Sequence, residues 1–329
     1  MLIAFAALAV ALVISFLFMP FLIRYLKSRQ FGQTIYELGP QAHMNKQGTP
    51  NMGGILIVTA TVLSASVFSL TKGAAWQLLP LLIASIGAMA IGFRDDFIKN
   101  IRKNHEGLIP EQKLIGQVIV GLSFTVYCYL QIGSRIFLPF TAKSWDLGIF
   151  YIPLMTLVFV FVTNSANLQD GADGLLSSVS IVGGIAFGII ALMLQSKGAL
   201  KVLDAVSILS FSLVGACSGF LFFNRYPAKI MMGDTGSMFI GGLFCAIAMI
   251  LGLQFWLIPI CFTMIMSSLS VIIQRIYFKV THGKRIFKMS PIHHHFELSG
   301  MRENSIVVMY TIVTLVLSII AVLAIMPLS

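Results

Sequence analysis

Apolar stretches close to twenty residues long recur from one end of the chain to the other, and the polar residues collect between them. Ten such runs stand out: Leu2–Ile23, Met52–Leu70, Trp76–Phe93, Leu114–Ile132, Ile149–Val162, Leu175–Leu194, Val206–Phe223, Met238–Leu253, Phe255–Ile276 and Ile306–Met326. A helix needs about twenty residues to cross a ~30 Å hydrocarbon core, and most of these runs reach that length. The fifth is short, and almost nothing separates the eighth from the ninth. The pattern predicts an all-α integral membrane protein of about ten transmembrane helices, folded as a single polytopic membrane domain over residues 1–329.

Charge gives the runs a direction. Arg24, Lys27 and Arg29 follow the first run and no basic residue precedes it, so its N-terminus is expected outside. Alternating ten spans from there puts both termini outside. Only Lys72, Arg135, Lys143, Lys197 and Lys201 then remain on the outer side, which leaves 17 of the 22 Lys and Arg within. A Ser144→Cys variant is therefore expected to react with a membrane-impermeant thiol reagent in intact cells, and Gln47→Cys is not. The reverse labelling would overturn this topology. The net charge of +10 follows from the same bias and from anionic lipid heads, and no soluble domain is expected to carry nucleic-acid binding. With 57% of residues hydrophobic and 10% charged, an ordinary soluble surface is excluded. Cys128, Cys217, Cys245 and Cys261 all fall inside spans without ligand spacing and read as small buried apolar residues.

The candidate chemistry lies in the inner connections. Asp95 and Asp96 follow the third run directly, with Lys99 four residues on. Adjacent acids repel unless a cation or amines compensate them, so the pair marks either a metal or basic-substrate site or a solvated helix end. In the connection after the fifth run, Asn164, Asn167, Asp170 and Asp173 recur every three residues, along one edge of a helix if the helix continues that far. Gly171 and Gly174 allow close backbone approach or a sharp turn; helix-capping acids are the plainer alternative. Asp234 sits among glycines and hydroxyls just ahead of the eighth run. It suits magnesium shared with phosphate oxygens, or an N-cap. The longest and most basic connection, Tyr277 to Asn304, holds His293, His294 and His295. Three consecutive histidines do not easily converge on one zinc ion, so phosphate or sugar contact is the expectation.

Taken in order, His43–Gly54, Asp95–Lys99 with Gly107–Lys113, Asn164–Leu175, Asn224–Ser237 and Arg285–Glu297 resemble the motifs of the phospho-N-acetylmuramoyl-pentapeptide transferases, a family of bacterial polyprenyl-phosphate sugar-1-phosphate transferases. The resemblance covers essentially the whole chain. It implies a multi-pass enzyme of the bacterial cytoplasmic membrane with its site on the cytoplasmic face. The enzyme would transfer phospho-N-acetylmuramoyl-pentapeptide from UDP to undecaprenyl phosphate with Mg2+, giving lipid I and UMP. Carried over by motif, Asp95, Asp96 and Asp234 are the catalytic acids, His293 joins the catalytic set, and Asp234 is the metal ligand. Lys99, Asn164, Asn167, Asp170, Asp173 and Asn224 would surround the nucleotide and diphosphate. Lys46, Lys113, His294 and His295 would complete the site. Met231 stands where an aromatic residue that stacks on uracil is expected. Asn51, Gln169 and Ala172 also depart from the family's usual residues. A homodimer within the bilayer is among the expected assemblies.

Both reacting groups are anionic phosphates, so charge repulsion is the main obstacle, offset by magnesium and lysines. Direct attack is expected, with Asp95 orienting or deprotonating the lipid phosphate; a phospho-sugar held covalently on an aspartate is the alternative. Two other functions compete. Transfer of N-acetylglucosamine phosphate from UDP would use similar groups, whereas a transporter would place charges at mid-membrane.

Overall fold

The computed structural model describes residues 1–32, 48–102, 107–195 and 200–328. Lys46 and His43 lie outside the described residues. Among the described residues nine helices are long and apolar enough to cross a membrane. They are α1 (Leu2–Ser28), α2 (Gly54–Thr71), α3 (Ala75–Arg102), α4 (Pro110–Gln131), α5 (Tyr151–Gln169), α6 (Leu175–Gln195), α7 (Lys201–Asn224), α8 (Gly233–Ile250) and α12 (Glu303–Ala324). Between the last two lie α9 (Leu257–Ile260), α10 (Phe262–Val280) and the short α11 (Ile292–Glu297).

The expected ninth span is broken. Residues 254–260 and α10 together are long enough to cross, but they meet at 83°. Cys261 leaves helical geometry at φ −99°, ψ 17°, ending α9 and starting α10. Pro259 lies inside α9, where its missing N–H would face residue 255, so it does not account for the break at Cys261.

Small residues decide how closely the helices approach. Ala4, Ala7, Ala11 and Ser15 form the buried stripe of α1, and α7 answers with Gly215 and Gly219 against the Leu8 and Leu12 carbonyls. The larger apolar residues of α1, such as Leu17, Phe18 and Phe21, stay exposed, as lipid-facing side chains do. α8 is the buried axis: every residue from Thr235 to Met249 is inaccessible, and α2, α3 and α5 pack on it. α7 is flanked by α1, α2 and α6, while α12 lies against α6.

At one end of the bundle, between Gly133 and Gly148, β1 (Arg135–Phe137) and β2 (Ser144–Asp146) form an antiparallel hairpin. Its backbone is latched to neighbouring helix ends, Phe137 N–H to Gly252 O at 2.9 Å and Phe140 N–H to Ala324 O at 3.2 Å. The Trp256 indole N–H also donates to Ala321 O at 2.8 Å. The polar connections gather at the opposite end.

Candidate active site

The acidic pair is not a solvated helix end. α3 continues nine residues beyond Phe93 to Arg102, and Asp95 and Asp96 are 3% and 0% exposed. Neighbouring residues on a helix point about 100° apart, so the two carboxylates serve different partners. Asp96 turns to the start of α8. One of its oxygens accepts the Asp234 N–H at 3.1 Å and the Asn51 amide at 3.4 Å. The other accepts the Thr235 N–H at 2.8 Å and the Thr235 hydroxyl at 2.6 Å. A carboxylate has about four acceptor sites, and here all are filled.

The capping role that the sequence leaves open for Asp234 is thus taken by Asp96 from another helix. Asp234 makes no side-chain cap to α8. Its carboxylate instead meets three helices. Lys113 of α4 lies at 2.6 Å and Lys99 of α3 at 3.2 Å on one oxygen, and the Asn167 amide of α5 donates to the other at 2.7 Å. Asn167 is itself oriented by Lys113 at 3.2 Å and Ser237 at 3.0 Å. Gly92 makes this convergence possible: a Cβ there would collide with the Asp234 carbonyl, so only glycine lets α3 run this close to the start of α8.

Asp95 faces the loop before α4. It accepts the Leu108 N–H at 2.7 Å and pairs with Lys99 at 2.5 Å. Asp170 follows the last residue of α5 and has left helical geometry, φ −76°, ψ 44°. The helical edge expected through Asn164, Asn167, Asp170 and Asp173 therefore ends at the second asparagine, because the Gly171 and Gly174 turns follow at once. Burial, then the negative charges of Asp234 and Asp96, push the Asp170 carboxyl well above the usual range, against the Gly233 N–H, which favours its ionised form.

The residues beyond this centre mostly tie connections together. The Asp173 carboxylate accepts the Ala228 N–H at 2.8 Å, and its own N–H donates to Glu303 at 2.6 Å. Asn224 is buried; it accepts from the Gly174 N–H and the Ser177 hydroxyl and donates to Ile230 O at 2.9 Å. Asn164 donates to Gln117 at 2.8 Å. Met231 is buried, with its N–H on Pro50 O at 2.8 Å. Sequence reasoning passed over Gln117 and Glu303, and it noted Asn51 only as a departure and Thr235 only as a hydroxyl beside Asp234. A glutamine inside an apolar span was the available signal for Gln117, since polar groups there are costly.

Two of the three histidines stay together and the third turns away. His293 is 1% exposed and packs on Gly171, where a Cβ would strike its Nε2; His294 borders the same glycine. His294 Nδ1 lies 3.3 Å from Glu297, and His295 folds back to accept the Lys288 N–H at 3.1 Å. α11 is anchored by the Ile292 N–H on the Ser270 hydroxyl at 3.0 Å. His293 and His294 lie ring against ring at 4.2 Å, but among the described residues no third ligand gathers with them, so a chelator strong for zinc and weak for magnesium is expected to leave turnover unchanged. Loss of turnover restored only by zinc would contradict that.

The acids do fit a hard cation. Asp95, Asp96 and Asp234 present oxygens within 4.8 Å of one another, and Asp170 is near enough to feel the charges of Asp234 and Asp96. Oxygen-only donors of this kind suit Mg2+, Mn2+ or Ca2+ and not zinc. Because the acceptor sites of Asp96 are filled, Asp234 and Asp95 are the residues with capacity to hold it.

The glycosyl transferase family 4 pattern matches residues 78–252. The chain is 41% identical over 318 residues to a phospho-N-acetylmuramoyl-pentapeptide-transferase of Listeria monocytogenes, covering 95% of each protein. It is 42% identical over 325 residues to the protein of that name in Halalkalibacterium halodurans, covering 96% of this chain and 95% of the relative. The counterpart in Thermoanaerobacter pseudethanolicus is 42% identical over 312 residues, covering 94% of this chain and 95% of its own.

Proposed function

The chain belongs to the phospho-N-acetylmuramoyl-pentapeptide transferases of glycosyl transferase family 4, and from that premise we propose how its buried acids and lysines work. The protein is a multi-pass enzyme of the bacterial cytoplasmic membrane and serves peptidoglycan synthesis. It moves phospho-N-acetylmuramoyl-pentapeptide from UDP to undecaprenyl phosphate, giving lipid I and UMP. The polar end of the bundle is the cytoplasmic one in this reading, on the strength of the basic residues there.

A phosphate oxygen of the acceptor forms a bond to the β-phosphorus of the UDP-sugar. The bond from that phosphorus to the bridging oxygen breaks, and UMP leaves with the electron pair. The acceptor is a monoester with second pKa near ~6, already mostly ionised at neutral pH, so no strong base is required. What must be overcome is the approach of two anions. Lys99 and Lys113, held on Asp234, supply positive charge where the diphosphate would lie. Mg2+ held by Asp234 and Asp95 would neutralise diphosphate charge and favour the leaving phosphate. Asp95 keeps Lys99 and the Leu108 loop in place, while Asn167 fixes the orientation of the Asp234 carboxylate. His293 and His294 border Gly171 on the side expected to take the sugar diphosphate. By motif, Asp173, Asn224 and Met231 are assigned to the nucleotide, with Asp170 between them and the acids; Lys46, outside the described residues, keeps its assignment from the motif alone.

Direct attack is favoured over a covalent phospho-sugar because the acceptor phosphate is already ionised and needs no enzyme nucleophile to activate the transfer. Asp96, with all its acceptor sites filled, is the acid least suited to attack. The observation that carries this reading is the meeting of α3, α4 and α5 on one carboxylate at the start of α8. Purified enzyme with undecaprenyl phosphate and magnesium is expected to release UMP from UDP-N-acetylmuramoyl-pentapeptide and not from UDP-N-acetylglucosamine. Equal or preferential release from the second would replace this substrate assignment.

A further inference from the structure

At the same end of the bundle, away from the acids, a cavity of about 520 Å3 opens between the ends of α1 and α7. Arg24, Lys27 and Lys229 line it around an apolar floor of Pro20, Ile23 and Phe223, and Gly48, Thr49 and Pro50 close one side. Among the described residues no carboxylate lines it, and none of the three cations is in an ion pair.

Basic residues at the end of a span ordinarily fan out into the headgroup layer and mark topology only. Here they ring a concavity, and the ring sits on hydrocarbon. A small aqueous anion has no use for that floor. Leu17, Phe21 and Arg24 follow one another at spacings of four and three, on one face of α1. The two apolar residues are 55% and 60% exposed, and the Arg24 guanidinium lies 4.8 Å above the Phe21 ring. That face passes from lipid-facing to cationic within one turn, matching a molecule with acyl chains at one end and a phosphate at the other. The cavity is also of a size that holds a headgroup.

We propose that this cavity binds the headgroup phosphate of an anionic bilayer phospholipid, with the acyl chains lying along the Leu17–Phe21 face of α1. Clusters of Lys and Arg between membrane helices at this depth recognise such headgroups through charge and hydrogen bonding together. The Gly48–Pro50 wall is continuous with the catalytic end. Pro50 O accepts the Met231 N–H at 2.8 Å, and the next residue, Asn51, reaches Asp96. A bound headgroup therefore rests against the strand that positions the start of α8.

The test uses the full chain in detergent micelles with a photoactivatable phosphatidylglycerol, followed by mapping of the adduct. The adduct is expected within residues 17–27 or 223–229. Unlabelled phosphatidylglycerol should suppress it at least tenfold more effectively than phosphatidylcholine, and millimolar inorganic phosphate should not suppress it. Combining Arg24→Gln, Lys27→Gln and Lys229→Gln should weaken capture by about fivefold per cation removed. Lys72→Gln with Lys201→Gln, at the opposite end, should change nothing. Equal competition by phosphatidylcholine would make the contact a general apolar one and overturn the proposal. So would displacement by inorganic phosphate, which indicates a soluble-anion site, or stronger displacement by undecaprenyl phosphate, which indicates the acceptor. An adduct confined to other segments would overturn it on the parent protein alone, whatever the folding of the variants.

Discussion

Asp234→Asn is expected to lower kcat by about two to three orders of magnitude while leaving the protein folded. The side chain keeps its volume, and nothing in the start of α8 depends on it, because the N–H groups there are capped from Asp96. What disappears is the charge on which Lys99, Lys113 and Asn167 converge. Loss of one preorganised electrostatic group in a water-poor site costs about 3–4 kcal/mol of transition-state stabilisation. Turnover titrated against magnesium, with melting and UDP-sugar binding measured in parallel, checks this. Binding without magnesium should survive. Near-normal turnover at low magnesium would sink the assignment.

Asp96→Asn should behave differently, losing stability as well as turnover. Its two oxygens take two backbone N–H groups and a hydroxyl from α8. An amide in that place offers one acceptor atom and turns an NH2 toward a second donor. A buried donor left without a partner costs about 1–3 kcal/mol, so a fall of several degrees in melting temperature is expected. Turnover falls with it, because the N–H groups of Asp234 and Thr235 fix where the Asp234 carboxylate sits. If the melting temperature stays at the parent value while turnover collapses, the role of Asp96 lies in the chemistry and not in the clamp.

The membrane architecture was legible because the constraint behind it is local: an apolar run of the right length is visible without knowing its neighbours. The ninth run shows where that stops. Phe255–Ile276 reads as one run interrupted only by hydroxyls until Gln274 and Arg275, and nothing in it marks the turn at Cys261, since composition reports burial and not direction. The polar clusters were equally visible, and the structure brings Asp95, Asp96, Lys99, Lys113, Asn167, Asp170 and Asp234 together at one end. What spacing could not supply was the division of labour among them. Asp95 and Asp96 look interchangeable in sequence, yet their 100° separation sends one to the α4 loop and the other to α8. Whether Asp234 caps its own helix depends on a carboxylate 138 positions earlier in the chain, and no local pattern encodes that. Asp173 looked continuous with the Asn164 edge because a period of three persists through a turn that has already left the helix.

The last helix has a consequence for how the protein is made. α12 supplies Glu303, which receives the Asp173 N–H at one end, and the Ala321 and Ala324 carbonyls, which receive Trp256 and the hairpin at the other. A nascent chain that has inserted every helix up to α10 therefore still has open donors at both faces of the membrane. Its Gly171–Gly174 turn lacks the carboxylate that holds it, and its broken span lacks the support beneath the bend. Maturation of the site thus waits for α12 to be inserted. A polypeptide stalled before α12 would be a membrane-resident but unfinished enzyme, exposed to quality-control proteolysis from either side.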